Sequence, residues 1–136
     1  MDMTNAIFIA ASGLKAQSER LRVVAENIAN ANSIATTPGG APYQRKTISF
    51  RAELDRELGA EMVKVANIGR DKSPPELRFD PNHPAADKNG YVAYPNVRSL
   101  IEMADMREAQ RSYEANLSVI EITKGLVAHT LDILRG

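Results

Sequence analysis

The chain contains no cysteine and no tryptophan, and only 5% of its 136 residues are aromatic. Without cysteine there are no disulfides, no thiolate nucleophile and no cysteine-ligated zinc or iron. So few aromatics leave thin material for an independent core, because these side chains bury the largest area per residue. Charge of one sign is lacking too. Basic and acidic residues number 17 each, and the balance is local: three against three in 1–35, nine against eight in 36–96, five against six in 97–136. No segment carries the positive excess that phosphates or anionic lipids attract, which argues against nucleic acid and membrane as partners. A long hydrophobic run is also missing. Ala6–Ala11 falls far short of the roughly 20 residues that cross a bilayer, so no direct membrane insertion is expected. Asp2 precedes that run and the first basic residue, Lys15, follows it. A secretory signal has the reverse charge order, so no cleaved signal is expected.

What is present is a 43% hydrophobic chain whose pattern divides it into three zones: 1–33, 34–98 and 99–136. In the first, Ile7, Leu14, Leu21 and Ile28 recur at sevens, with small residues Ala11, Ser18 and Ala25 four after the first three. An apolar stripe beside a small-residue ridge lets another helix approach closely. Thr4 is the expected N-cap, and Asn30, Asn32 and Ser33 end the helix. In the third zone, Met106, Tyr113, Ile120, Val127 and Leu134 are again spaced by seven. Three before each stand Met103, Gln110, Leu117, Lys124 and Leu131, giving an a/d seam in which Gln110 and Lys124 interrupt the a row. About 36 helical residues would extend about 54 Å, longer than a core of this size covers.

The middle zone holds all seven prolines and five of the eight glycines. Short strands are expected at 47–51, 62–66, 77–79 and 90–94, with turn signals at Asn89-Gly90 and Pro38-Gly39-Gly40. The fold class is therefore α+β: two long terminal helices pairing as a coiled-coil-like hairpin around a small β-rich region. Neither helix has an obvious partner for its whole length in the middle zone. A seam too long for its own chain points to partners in other chains, and the packing set is Ile7, Leu14, Leu21, Ile28, Met106, Tyr113, Leu117, Ile120, Val127, Leu131 and Leu134.

No constellation of catalytic type emerges. His83 lies between Asp80 and Asp87, but prolines 81 and 84 make this a rigid turn, and the other histidine, His129, is remote. His129 reads as a cation near a helix C-terminus. Glu53, Asp55, Glu57 and Glu61 alternate with Arg51 and Arg56 and form a solvated face. Ser12-Gly13 lacks a nucleophile-elbow frame, and Gly39-Gly40 lacks the lysine of a phosphate cradle. No catalytic residue, metal or cofactor is expected.

The stretch Ala11–Leu14, Arg20-Leu21 and Ala25–Asn32, with its Asn27-Ile28-Ala29-Asn30 run and Asn32, resembles the rod–hook family of flagellar axial proteins. Ser112–Asn116, including Tyr113 and Asn116, is similar to that family's closing helix. In the middle, Asp80, Pro81, His83, Pro84, Asp87, Gly90, Tyr91, Tyr94, Pro95 and Asn96 resemble its proximal-rod branch, although Ser33–Pro42 lengthens the link that usually follows the Asn-rich run. The resemblance implies a structural subunit of the proximal rod, exported through the flagellar type III apparatus and polymerising through its terminal helices into the periplasm-spanning drive shaft. Its implied partners are copies of itself, other rod proteins, the motor base ring and the export apparatus. Two other classes stay open at this point: a soluble helical-hairpin adaptor or export chaperone, and a small hydrolase built on His83.

Overall fold

The computed structural model describes residues 2–136. Helix α1 spans Met3–Ala29. The Thr4 N–H donates to Asp2 Oδ1 at 3.3 Å, so Asp2 caps the helix instead of the expected Thr4. A carboxylate suits that place because it meets an orphan donor and the positive end of the helix dipole together. At the other end, Asn30 Nδ2 donates to the Glu26 carbonyl at 2.8 Å and Ser33 Oγ donates to Asn30 Oδ1 at 3.0 Å. Side-chain bonds of this kind compete with the helical ladder and stop it.

Strands β1 (Lys46–Asp55) and β2 (Ala60–Arg70) form one two-stranded sheet. Asp55 Oδ1 accepts the N–H groups of Glu57 and Leu58 in the turn between them. Strands β3 (Glu76–Phe79) and β4 (Tyr91–Tyr94) pair antiparallel in a second sheet, with Glu76 opposite Tyr94 and Phe79 opposite Tyr91. Helix α2 spans Ser99–Arg135 and closes the chain. The α+β class and the four expected strand sites agree with this order.

The chain divides into two compact units. One takes the chain up to Leu21, Ser49–Asn67 and Arg107–Gly136; the other takes Arg22–Ile48 and Ile68–Met106. In the first unit α1 and α2 run antiparallel: Gly13 meets Asn116, and Arg20 reaches Glu108 at 3.4 Å. Gly13 is buried there, and a Cβ on it would stand 2.8 Å from Asn116 Nδ2. The β1–β2 tip also engages α1 in this unit. Asn5 Nδ2 donates to the Leu58 carbonyl at 3.1 Å, and the Val63 N–H donates to Ser12 Oγ at 3.0 Å. The middle zone thus does partner α1. It does so through polar contacts, which leave no hydrophobic period.

The faces the helices turn inward differ from the expected ones. On α1 the buried residues are Ala10, Gly13, Ala16, Val23, Val24 and Asn27, while Ala11, Ser18 and Ala25 are exposed. On α2 they are Glu102, Ala109 and Thr123, with Asn116 half-buried in the same row. That row lies one residue before Met103, Gln110, Leu117 and Lys124, all of which are exposed. The reason is chemical. Apart from Val23 and Val24 the inward rows are small or polar, and the heptad template passes over them.

Candidate assembly surface and its polar anchor

The second unit is organised about a buried amide. Asn27 and Glu102 are both 0% exposed. Asn27 Oδ1 accepts the Lys46 N–H at 2.8 Å and the Tyr43 O–H at 2.9 Å. Its Nδ2 donates to the Lys46 carbonyl at 2.9 Å and to Glu102 Oε2 at 3.2 Å. Every position on the amide is therefore used. Arg45 Nε donates to Glu102 Oε1, while its other nitrogens lie 3.9 Å from Asp71 and 3.5 Å from Asp105. A buried carboxylate is tolerable only when paired and hydrogen-bonded, and Arg45 with Asn27 supplies both conditions.

A second shell of contacts holds that pair. Asn96 Oδ1 accepts the Arg45 N–H at 2.8 Å, and its Nδ2 donates to the carbonyls of Asp71 and Ser73, each at 3.1 Å. Ser73 donates to the Asp71 carboxylate from its hydroxyl and its backbone N–H, and these bonds, with the Arg45 charge, hold that carboxyl below its usual range. Lys46 pairs with Glu26 and lowers its carboxyl likewise. A cavity of about 650 Å³ adjoins this cluster, lined by Arg45, Asp71, Pro95, Asn96, Ile101 and Glu102 among others. Arg45, Asp71 and Glu102 in its wall are committed to one another. No group of three or more candidate metal ligands occurs among the described residues.

Each residue singled out in the sequence has a definite place. His83 Nδ1 accepts the Ala85 N–H at 3.0 Å and the His83 N–H donates to the Asp80 carbonyl at 3.1 Å, which makes it part of a turn. Asp87 Oδ1 accepts the N–H groups of Asn89 and Tyr91, at 2.8 and 3.0 Å. Gly90 adopts φ 83°, and a Cβ there would meet Phe79 and Pro81. The Tyr91 ring meets Phe79 edge-on at 5.3 Å, and Arg78 lies 4.0 Å over Tyr94. Pro95 is buried; Asn32 and Pro84 are exposed. Of the packing set, Ile7, Leu14, Leu21, Ile28, Met106, Ile120 and Val127 are half-buried, whereas Tyr113, Leu117, Leu131 and Leu134 are exposed.

Sequence reasoning missed two groups. Arg45 and Glu102 stand 57 positions apart, and Glu102 passes for an ordinary first-turn acid. The other is a row of exposed apolar residues on α2: Val119, Ile122 (64% exposed), Leu126 and Ile133. Val119, Leu126 and Ile133 also recur at sevens, one position before the Ile120 row, so the signal was present beside the one followed.

Comparison with known proteins finds two family models on the chain: the flagella basal body rod protein family on residues 7–33, and the C-terminal model of flagellar basal body rod FlgEFG proteins on residues 88–132. The chain is 58% identical over 128 residues to a flagellar basal-body rod protein FlgC of Agrobacterium fabrum, covering 94% of the chain and 92% of the relative. It is 41% identical to those of Borreliella burgdorferi and Salmonella typhimurium, covering 100% and 98% of both chains respectively. The first matched segment covers most of α1, and the second runs from just before β4 through most of α2.

Proposed function

Because the chain belongs to the FlgC family of flagellar basal-body rod proteins, we propose that it is a structural subunit of the proximal rod, polymerising through its terminal helices. The segments 1–33 and 99–136 are its assembly elements. The observation that carries this reading is the apolar surface of α2: Val119, Ile122, Leu126, Leu131, Ile133 and Leu134 are all exposed in the single chain. Burying each such side chain contributes about 1.5–3 kcal/mol, so a few of them on neighbouring subunits offset the ordering cost of association. A heterologous contact that does not close on itself then builds a helix of subunits.

In this reading Ile7, Leu14, Leu21 and Ile28 complete the packing from α1. Copies of the chain and other rod proteins are its neighbours, with the motor base ring and the export apparatus at the ends of its route. The assembled shaft crosses the periplasm and transmits torque. The function is mechanical, not enzymatic.

Ile122→Lys/Leu126→Lys tests the surface cleanly, since both side chains are exposed and a charge there leaves the chain's own fold alone. The variant should keep its circular dichroism and melting temperature yet yield no rods when basal bodies are imaged from cells lacking the native copy. Normal rods from this variant would remove α2 as the assembly surface.

A further inference from the structure

The four residues Tyr43–Lys46 enter β1 through an unusual set of bonds. The Tyr43 N–H donates to the Ser33 carbonyl at 3.0 Å, and its hydroxyl goes to Asn27. Arg45 gives its N–H to Asn96 and receives the Asp71 N–H on its carbonyl at 2.8 Å. Lys46 spends both backbone groups on Asn27. Arg70 lies 5.2 Å over the Tyr43 ring and donates to the Gln44 carbonyl at 2.9 Å. The segment is thus fixed by directional bonds to Asn27 of α1, Glu102 of α2 and Arg70 of β2, and to Ser33, Asp71 and Asn96 between the elements.

We propose that Asn27, Glu102 and Arg45 form a conformational clasp, which seats Tyr43–Lys46 at the root of β1 only while the end of α1 and the start of α2 are paired. Asn27 belongs to α1 and Glu102 to α2, and each bonds the other. If α2 withdraws, Arg45 loses its buried carboxylate and Asn27 loses an acceptor. If α1 withdraws, Glu102 loses a donor, and Lys46 loses its partners for both backbone groups. Each helix therefore needs the other before the segment can settle, because a half-satisfied buried polar network is less stable than an open, hydrated one. Arg45 is suited to the task for a geometric reason. One guanidinium fork meets three carboxylates, Glu102, Asp71 and Asp105, whereas a lysine ammonium is a single point of charge. Lys46 and Glu26 complete the charges around it.

Residue-resolved amide exchange on the full chain tests it, comparing the parent with Arg45→Lys and with Arg45→Met/Glu102→Leu. In Arg45→Lys the N–H groups of position 45, Lys46 and Asp71 should exchange about 30-fold faster, while those of Ala10–Val24 change less than about threefold. Equal acceleration of both sets would mean that the cluster is only a general stabiliser, and no acceleration would mean that other contacts hold the segment. Either result overturns the clasp. In the apolar double variant the helices should stay protected while the segment exchanges fast; parent-like protection there would also overturn it. Should Arg45→Lys not fold, Tyr43→Phe removes only the hydroxyl on Asn27. It should speed exchange at Lys46 by about fivefold, and an unchanged rate would count against the proposal.

Discussion

Asn27 is an amide for which neither isostere would serve, and the reason lies in what its two ends meet. Its oxygen accepts from Lys46 and Tyr43, and its nitrogen donates to the Lys46 carbonyl and to Glu102. Asn27→Asp keeps the acceptors but removes both donors and sets a second carboxylate against Glu102. Two buried carboxylates in contact cannot both stay ionised, so one takes up a proton. That raises a folded-state pKa above its unfolded value. The pair's contribution is then fullest at pH below the unfolded carboxylate range and is lost as pH rises through the raised value. Asn27→Asp should cost about 3 kcal/mol at neutral pH, and visibly less at pH 5, in urea titrations of the purified chain. A cost independent of pH would show that Glu102 and position 27 do not share a proton.

At the scale of the elements, the approach of α1 to α2 in the first unit rests on Gly13. Alanine is a better helix former than glycine by about 1 kcal/mol, yet its Cβ would crowd Asn116, whose Nδ2 also donates to the Ser112 carbonyl at 3.0 Å. Gly13→Ala should therefore destabilise by about 1 kcal/mol in the parent and stabilise by a similar amount in an Asn116→Ala background. Additive effects in that double-mutant cycle would deny the contact. The same pair explains what the sequence discloses about these helices. Their extents were legible, because every proline lies in the middle and the apolar heptads run on either side. The inward faces were not. Ala10, Gly13 and Ala16 on one side, and Ala109, half-buried Asn116 and Thr123 on the other, face inward because they are small or bonded, and hydrophobic periodicity is blind to both causes. The motif residues fared better where their chemistry is local: the turn about Asp80, His83 and Asp87 follows from its own prolines and carboxylates. Arg45 with Glu102 was illegible because nothing nearby in the sequence marks a partner half a chain away.

The whole molecule carries no net charge at neutral pH, with a pI near 6.7, so net charge sets up little repulsion between copies. Acid changes that state and the fold together. Glu26 is held below the usual carboxylate range by its bond to Lys46, Glu53 by Lys64 and Arg51, and Asp71 by Ser73 and then Arg45. Each of these folded-state pKa values lies below its unfolded one. Their contribution is therefore present above the unfolded range near pH 4 and is lost as pH falls through the depressed values. All three carboxyls are solvated, so salt should weaken the effect. The melting temperature of the isolated chain should hold steady from about pH 7 to 5 and fall steeply below about pH 4. A Glu26→Gln/Glu53→Gln/Asp71→Asn variant should start lower and show a flatter acid limb, because the three carboxyls whose folded-state pKa values are lowered are gone. If the triple variant loses stability with acid as steeply as the parent, the linkage does not lie in these three carboxyls.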